Sequence, residues 1–307
     1  MNDIVLKTKN LTKQYNKQIA VNNVNIEIKK GDIYGLVGKN GAGKTTLLRM
    51  VSGLTIPSNG ELEIFHETSL EGLNKARKRT GCIIETPSFF PYLSARKNLE
   101  YYRIQKGIVE KNAVDEVLEA VDLQDTGNKS FKNFSLGMKQ RLGLAYTMLG
   151  NPDLLLLDEP INGLDPFGIV NYREILKKLN RERNITIIIS SHVLSELSQL
   201  AGTYGFFHEG KLIEQISSHK IEEKCQQSLL VKVDDIKKAV VILENKLNTN
   251  NYRVLTNNEI RLFDYVNKPE KVAQEFITNG VMVSTINQTG INLENYFIDL
   301  IGGNKND

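Results

Sequence analysis

The opening stretch of the chain alternates between apolar and polar positions. "IVLKTKNLTKQY" and "AVNNVNIEIKKG" read as half-exposed strands bounded by turn residues, the pattern of antiparallel pairing. "DIYGLVG" (32–38) is instead a continuous apolar strand running into glycines, and "KTTLLRMVSGL" follows as a helix with one apolar face and Gly53 near its end. "GELEIF" and "TGCIIE" predict two further strands. From about 94 to 150, apolar residues recur at three- and four-residue spacing, so "SARKNLEYYRIQKG", "KNAVDEVLEAVDL" and "LGMKQRLGLAYTMLG" predict helices. "DLLLLDEP" and "ITIIISSH" are buried strands, followed by the helices "FGIVNYREILKKLNRE" and "VLSELSQLA". "YGFFHEGKLIEQI" reads as a hairpin turning at Glu209 and Gly210. Buried strands alternating with helices predict a mostly parallel sheet covered on both faces.

After about residue 220 the pattern becomes strand, helix, strand, strand, helix, strand and a closing helix, from "SLLVKV" to "NLENYFIDLIGG". That order is the ferredoxin-like split βαβ arrangement, a small α+β unit. Its expected role is regulation or dimerisation; the plainer alternative is that it covers a sheet edge.

Composition narrows the class. The chain has 307 residues, 40% hydrophobic and 24% charged, enough for one large domain and a small one. A net charge of +3 is too slight to argue for a nucleic-acid or anionic-membrane partner. Cys82 and Cys225 form no Cys-x-x-Cys and no zinc spacing, so two unpaired thiols are expected. The start "MNDIVLKTKN" shows no secretory pattern, and no apolar run approaches the roughly 18–20 residues that span a bilayer. Any crossing of a membrane falls to another chain.

Four signals carry chemistry. "GKNGAGKTT", Gly38 to Thr46, fits Gly-x-x-x-x-Gly-Lys-Thr between a strand and a helix. Gly38, Gly41 and Gly43 let the backbone turn so that amides, together with the helix N-terminus, converge on phosphate oxygens. Lys44 adds a point charge for the β- and γ-phosphates, Thr45 suits Mg²⁺ and Thr46 the α-phosphate. Second, "LLLLDEP" ends a buried strand in two adjacent carboxylates. Mg²⁺ accounts for Asp158, and Glu159, one residue on, is the candidate to orient or deprotonate the attacking water. Third, His192 ends "SSH" on the same expected edge of the sheet, within reach of a γ-phosphate. Fourth, in "NFSLGMKQRLGLA" Ser135 is an N-cap and Gly137 lies in the first helical turn, making a second anion-binding helix end. Two chains packed head to tail bring such an end onto the P-loop of the partner.

In this order the four signals resemble the ATP-binding subunits of ABC transporters, over about residues 3–215. "GKNGAGKTT" is similar to the Walker A motif, Asn40 and Ala42 included, and "LLLLDEP" to Walker B. "FSLGM" is similar to the signature motif, with Leu136 and Met138 where the family has glycine and glutamine. "INGLDP" resembles the D-loop, with Asp165 its acidic residue, and His192 the switch histidine. Tyr15 stands where the family stacks an aromatic ring on adenine. At the position of the family's Q-loop glutamine stands Glu85, a carboxylate better suited to Mg²⁺ than to bare phosphate. The segment "IIETPSFFPYLSARKNL" is similar to the bacitracin-resistance and lantibiotic-immunity subgroup.

The resemblance implies an α/β P-loop NTPase fold with an antiparallel β subdomain and a helical subdomain at about 92–150. The ATP-binding domain is expected over 1–218 and the small unit over 219–307. It implies ATP and Mg²⁺, a homodimer closing on ATP, and a bacterial peripheral protein at the cytoplasmic face of the membrane. Integral membrane permease subunits would complete an exporter of antimicrobial peptides or related amphiphiles. Those subunits would dock near the segment after Glu85, where Phe89, Phe90 and Tyr92 fit either such a contact or the core between subdomains. A non-transport ABC ATPase acting on ribosomes or DNA is the rival, disfavoured by the single cassette, the absence of a heptad arm and the near-neutral charge.

Overall fold

The computed structural model describes residues 3–84, 88–225, 227–290 and 293–302. Glu85 lies outside the described residues. Two compact units divide the chain, 1–218 and 219–307.

The first unit begins with β1 (Ile4–Tyr15) and β2 (Gln18–Lys29), antiparallel partners as their alternation predicts. Then come β3 (Ile33–Val37), α1 (Lys44–Ser52), β4 (Asn59–Ile64), α2 (Leu70–Lys78) and β5 (Thr80–Ile83). A helical stretch follows: α3 (Ala95–Gln105), α4 (Ala113–Ala120) and α5 (Leu136–Met148). The unit closes with β6 (Leu154–Leu157), α6 (Pro166–Arg183), β7 (Thr186–Ser191), α7 (Leu194–Leu197), β8 (Thr203–His208) and β9 (Lys211–Ser217).

Among the described residues these strands form two sheets, one antiparallel in the order β2-β1-β4 and one in the order β5-β6-β7-β3-β8-β9. The second is parallel except for its edge strand β9, which pairs antiparallel with β8. β3 and β6 are buried along their whole length, as continuous apolar runs covered on both faces require. Val24 and Ile26 of the antiparallel sheet, Leu47 and Met50 of α1, and Leu36, Leu154 and Ile188 of the parallel sheet share one core. The helix that follows the glycine loop is thereby clamped between two sheets.

The second unit runs α8 (Ser218–Cys225), β10 (Ser228–Val233), α9 (Ile236–Asn245), β11 (Tyr252–Val254), β12 (Glu259–Leu262), α10 (Pro269–Thr278), β13 (Val283–Thr289) and α11 (Leu293–Gly302). Its sheet order, β11-β12-β10-β13 with every pairing antiparallel, is that of the split βαβ arrangement. Leu229, Val231, Ile242, Leu262, Val272 and Phe276 form a core of its own.

One local expectation is corrected. "VLSELSQLA" is helical only over Leu194–Leu197. The amides of Leu200 and Ala201 both turn back onto the Leu197 carbonyl and close the helix early. The aromatic segment is split between core and surface. Phe89 is buried and packs edge-on against Tyr102 and Tyr146, whereas Phe90 and Tyr92 are 41% and 76% exposed.

Candidate functional site

β6, β7 and β3 lie side by side and parallel, so their C-terminal ends meet on one edge. Ligands bind there in open α/β sheets because strand ends, loops and helix N-termini converge. β3 delivers Gly38. A Cβ at that position would stand 2.6 Å from the Phe207 carbonyl, so only glycine lets the loop pass. The loop ends at Gly43, with φ +108, which caps α1 without a side-chain hydrogen bond. The first amides of α1 thus have no partner within the helix and point at a common centre. The β8–β9 turn braces the loop from outside, the Gly210 amide donating to the Ala42 carbonyl at 2.9 Å.

An open cleft of about 510 Å³ lies over this loop, lined by Asn40 to Thr46, Glu159 and, at the end of β1, Tyr15. The Tyr15 ring is 43% exposed, and its hydroxyl stands 3.5 Å from that of Thr55. An exposed aromatic face at the end of a phosphate-binding cleft suits a flat base.

Lys44, Glu159 and His192 meet beside the cleft floor. Lys44 Nζ donates to the Gly38 carbonyl at 2.6 Å and stands 3.3 Å from Glu159 Oε1. That oxygen is buried and, among the described residues, accepts no hydrogen bond of good geometry. Glu159 Oε2 lies 2.8 Å from Nδ1 of His192. Glu159 is therefore held between Lys44 at the start of α1 and His192 just beyond β7, one oxygen facing each. Glu196 adds a further carboxylate nearby. Burial raises its pKa above the ordinary value, Ser191 and His192 oppose that shift, and the charge of Glu159 reinforces it.

Asp158 is held differently. Thr45 Oγ1 donates to its Oδ2 at 2.7 Å, and Ser190 Oγ donates to its Oδ1 at 2.6 Å. A hydroxyl and a carboxylate in contact beside a phosphate loop are hard oxygen donors of the kind Mg²⁺ takes. No cluster of three His, Cys, Asp or Glu ligands occurs among the described residues, and Mg²⁺ beside nucleotide needs none, because substrate phosphates and water complete its shell.

Ser190 itself is missed by the sequence reading, although a signal was available. With Ser191 it ends the apolar run of β7 as a buried polar residue, and such a group needs partners.

The serine end of α5 lies elsewhere. Ser135 Oγ accepts the Met138 amide at 3.3 Å, as an N-cap should. Ser135, Gly137 and Asp165 line a second cleft of about 410 Å³, and it shares no lining residue with the first among the described residues. Asp165 also caps α6, its Oδ1 accepting the Gly168 amide at 2.6 Å.

Known proteins match both the sequence and the fold. The ABC transporter family model matches residues 21–162. The bacitracin transport ATP-binding protein BcrA of Bacillus licheniformis is 45% identical over 299 residues, covering 97% of this chain and 98% of that protein. The lantibiotic transport ATP-binding protein SrtF of Streptococcus pyogenes is 42% identical over 229 residues, 74% of this chain and 98% of that protein. A dimeric post-hydrolysis state of the ATP-binding cassette MJ0796, bound to ADP and Pi, superposes with a TM-score of 0.62 at 27% identity, over 69% of this chain and 98% of that one. The fold of cbiO1 from Clostridium perfringens, part of the ABC transporter complex cbiONQ, matches with a TM-score of 0.66 at 24% identity, over 80% and 97% of the two chains. No helix among the described residues is long and apolar enough to cross a membrane. The chain belongs to the ATP-binding subunits of ABC transporters, and it binds and hydrolyses ATP.

Proposed function

We propose that this chain powers the export of an antimicrobial peptide or related amphiphile, working as a pair of copies beneath separate membrane subunits at the cytoplasmic face of a bacterial membrane. The observation that carries the paired mechanism is the separation of two half-sites: a P-loop cleft with Lys44, Asp158, Glu159 and His192, and a distinct serine-and-glycine cleft on α5. Each is incomplete alone, and two copies head to tail complete both. The cargo class rests on the relatives, which are bacitracin and lantibiotic transport proteins along nearly their whole lengths.

Each residue has a part in the chemistry. The loop amides and Lys44 hold the β- and γ-phosphates, and Tyr15 stacks on the base. Thr45 and Asp158 hold Mg²⁺, which when bound neutralises charge on the phosphate oxygens. Glu159 orients the attacking water and draws its proton through Oε1, the oxygen that faces Lys44. His192 fixes Glu159 in place and donates toward the transferred phosphoryl group. Ser135 and Gly137 of the second copy close over the γ-phosphate. Glu85 links the metal to the segment that faces the membrane chain, and the exposed Phe90 and Tyr92 offer that chain an apolar contact.

Glu159→Gln tests the assignment. It keeps shape and hydrogen bonding while removing the base, so a fluorescent ATP analogue should bind as in the wild type. Steady-state hydrolysis should fall by about 10²–10⁴-fold, and an ATP-dependent dimer should persist on gel filtration. Hydrolysis at the wild-type rate would sink the assignment of the base.

A further inference from the structure

Ser190 is fully buried at the end of β7, and its hydroxyl uses both of its capacities on the two carboxylate residues of the site. It donates to Asp158 Oδ1 at 2.6 Å and accepts the backbone amide of Glu159 at 2.9 Å. The neighbouring Ser191 is spent on its own loop, accepting the Val193 amide and bonding Glu196 at 3.1 Å, so it cannot substitute.

The two bonds act on different problems. Among the described residues, the other side-chain contact that anchors Asp158 is Thr45 on its second oxygen, and a carboxylate held at one oxygen can pivot about that bond. Glu159 has φ +47, the left-handed region that side-chain-bearing residues enter only at a cost. The Ser190 hydroxyl fastens the amide that enters this conformation. One side chain thus couples the direction of the metal-facing carboxylate to the backbone that aims the base.

We infer that Ser190 is a positioning residue for metal binding and hydrolysis, presenting Asp158 to Mg²⁺ and holding the Glu159 backbone in register with it. The inference rests on the reading above, in which Asp158 faces the metal. Partners of this kind commonly affect metal affinity by about 10–100-fold when removed. A hydroxyl serving only to fill a strand end would leave metal affinity alone.

The test uses the full-length chain with ADP and Mn²⁺ as a spectroscopic stand-in for Mg²⁺. Bound Mn²⁺ is read by electron paramagnetic resonance, and metal-free nucleotide affinity by a fluorescent ADP analogue in chelator. Ser190→Ala should weaken Mn²⁺ binding by about 10–100-fold and leave metal-free ADP affinity unchanged. If Ser190→Ala loses metal-free ADP binding through misfolding, Ser190→Cys, nearly isosteric and a weak donor, takes its place with the same expectation of weakened Mn²⁺ binding. Wild-type Mn²⁺ affinity in the Ser190 variant, beside weakened affinity in Asp158→Asn, overturns the role of Ser190 alone. Unchanged affinity in Asp158→Asn overturns the metal assignment itself, and the Ser190 inference with it.

Discussion

Gly43 and Gly41 stand two residues apart in the same loop, both at positive φ, +108 and +81, yet their surroundings differ. A Cβ on Gly43 would lie 2.5 Å from the Ala20 carbonyl, a backbone atom that cannot swing aside, whereas a Cβ on Gly41 meets nothing within 4 Å. Gly41→Ala should therefore cost about 1–2 kcal/mol, the left-handed penalty alone. Gly43→Ala should cost more, with the loop forced away from β2 and its amides splayed. Thermal unfolding of both variants and titration with a fluorescent ATP analogue separate the two terms. Equal effects would show that the close approach to Ala20 does not shape the loop. Such residues were legible in the sequence because the P-loop's chemistry lies in one short stretch, between a strand and a helix that flank it in the chain. Ser190 was not legible in the same way. Its function depends on Asp158 and Glu159, more than thirty residues away, and only the strand pairing of β6 with β7 brings them together.

At the scale of elements, the helical layer depends on one buried side chain. Asn98 of α3 is fully buried, and its amide nitrogen faces the carbonyls of Phe90, Leu93 and Ser94 while its oxygen accepts the Phe90 amide at 2.7 Å. It ties the loop carrying Phe90 and Tyr92 to the helix behind it. Asn98→Ala leaves the Phe90 amide without its partner, while the three carbonyls keep the amides of Leu93, Phe131 and residue 98 as donors; one such orphan costs about 1–3 kcal/mol. The variant should unfold at lower temperature, and hydrogen exchange at the Phe90 amide should accelerate. Unchanged exchange would mean that the loop is held by aromatic packing of Phe89 instead. The helices of this layer announce themselves by apolar spacing, since Val114, Val117 and Leu118 of α4 all turn inward. α2 gives a weaker signal. Its buried residues are the small Gly72 and Ala76, with the partly buried Leu73 packed on the core beside them, and the helix is also held by its Ser69 cap and by Arg77 reaching back to the Val51 carbonyl. Periodicity finds elements that bury bulk; it passes over those that are capped and tethered.

At the scale of the whole molecule, the cores of the two units draw on separate residues, and all of the P-loop cleft lies in the first. The second unit has a four-stranded sheet with α9 and α10 contributing to its core, enough apolar burial for a small domain to fold alone. SrtF, matched over 98% of its length by 229 residues of this chain, shows that a cassette of the family exists without such an added unit. A chain ending at Ser218 should therefore bind a fluorescent ATP analogue within about threefold of the full chain, less than 1 kcal/mol in binding free energy. Loss of binding would refute the independence of the first unit. The same truncation in the Glu159→Gln background addresses what the second unit does. If residues 219–307 form a dimerisation module, the ATP-dependent dimer should dissociate at higher protein concentration once they are removed, while nucleotide affinity of the monomer stays put. If the dimer is equally stable without them, dimerisation is excluded, and regulation of turnover by the membrane chain becomes the reading to pursue. The two outcomes differ because contacts added outside the nucleotide sites stabilise the closed pair by mass action without altering the P-loop.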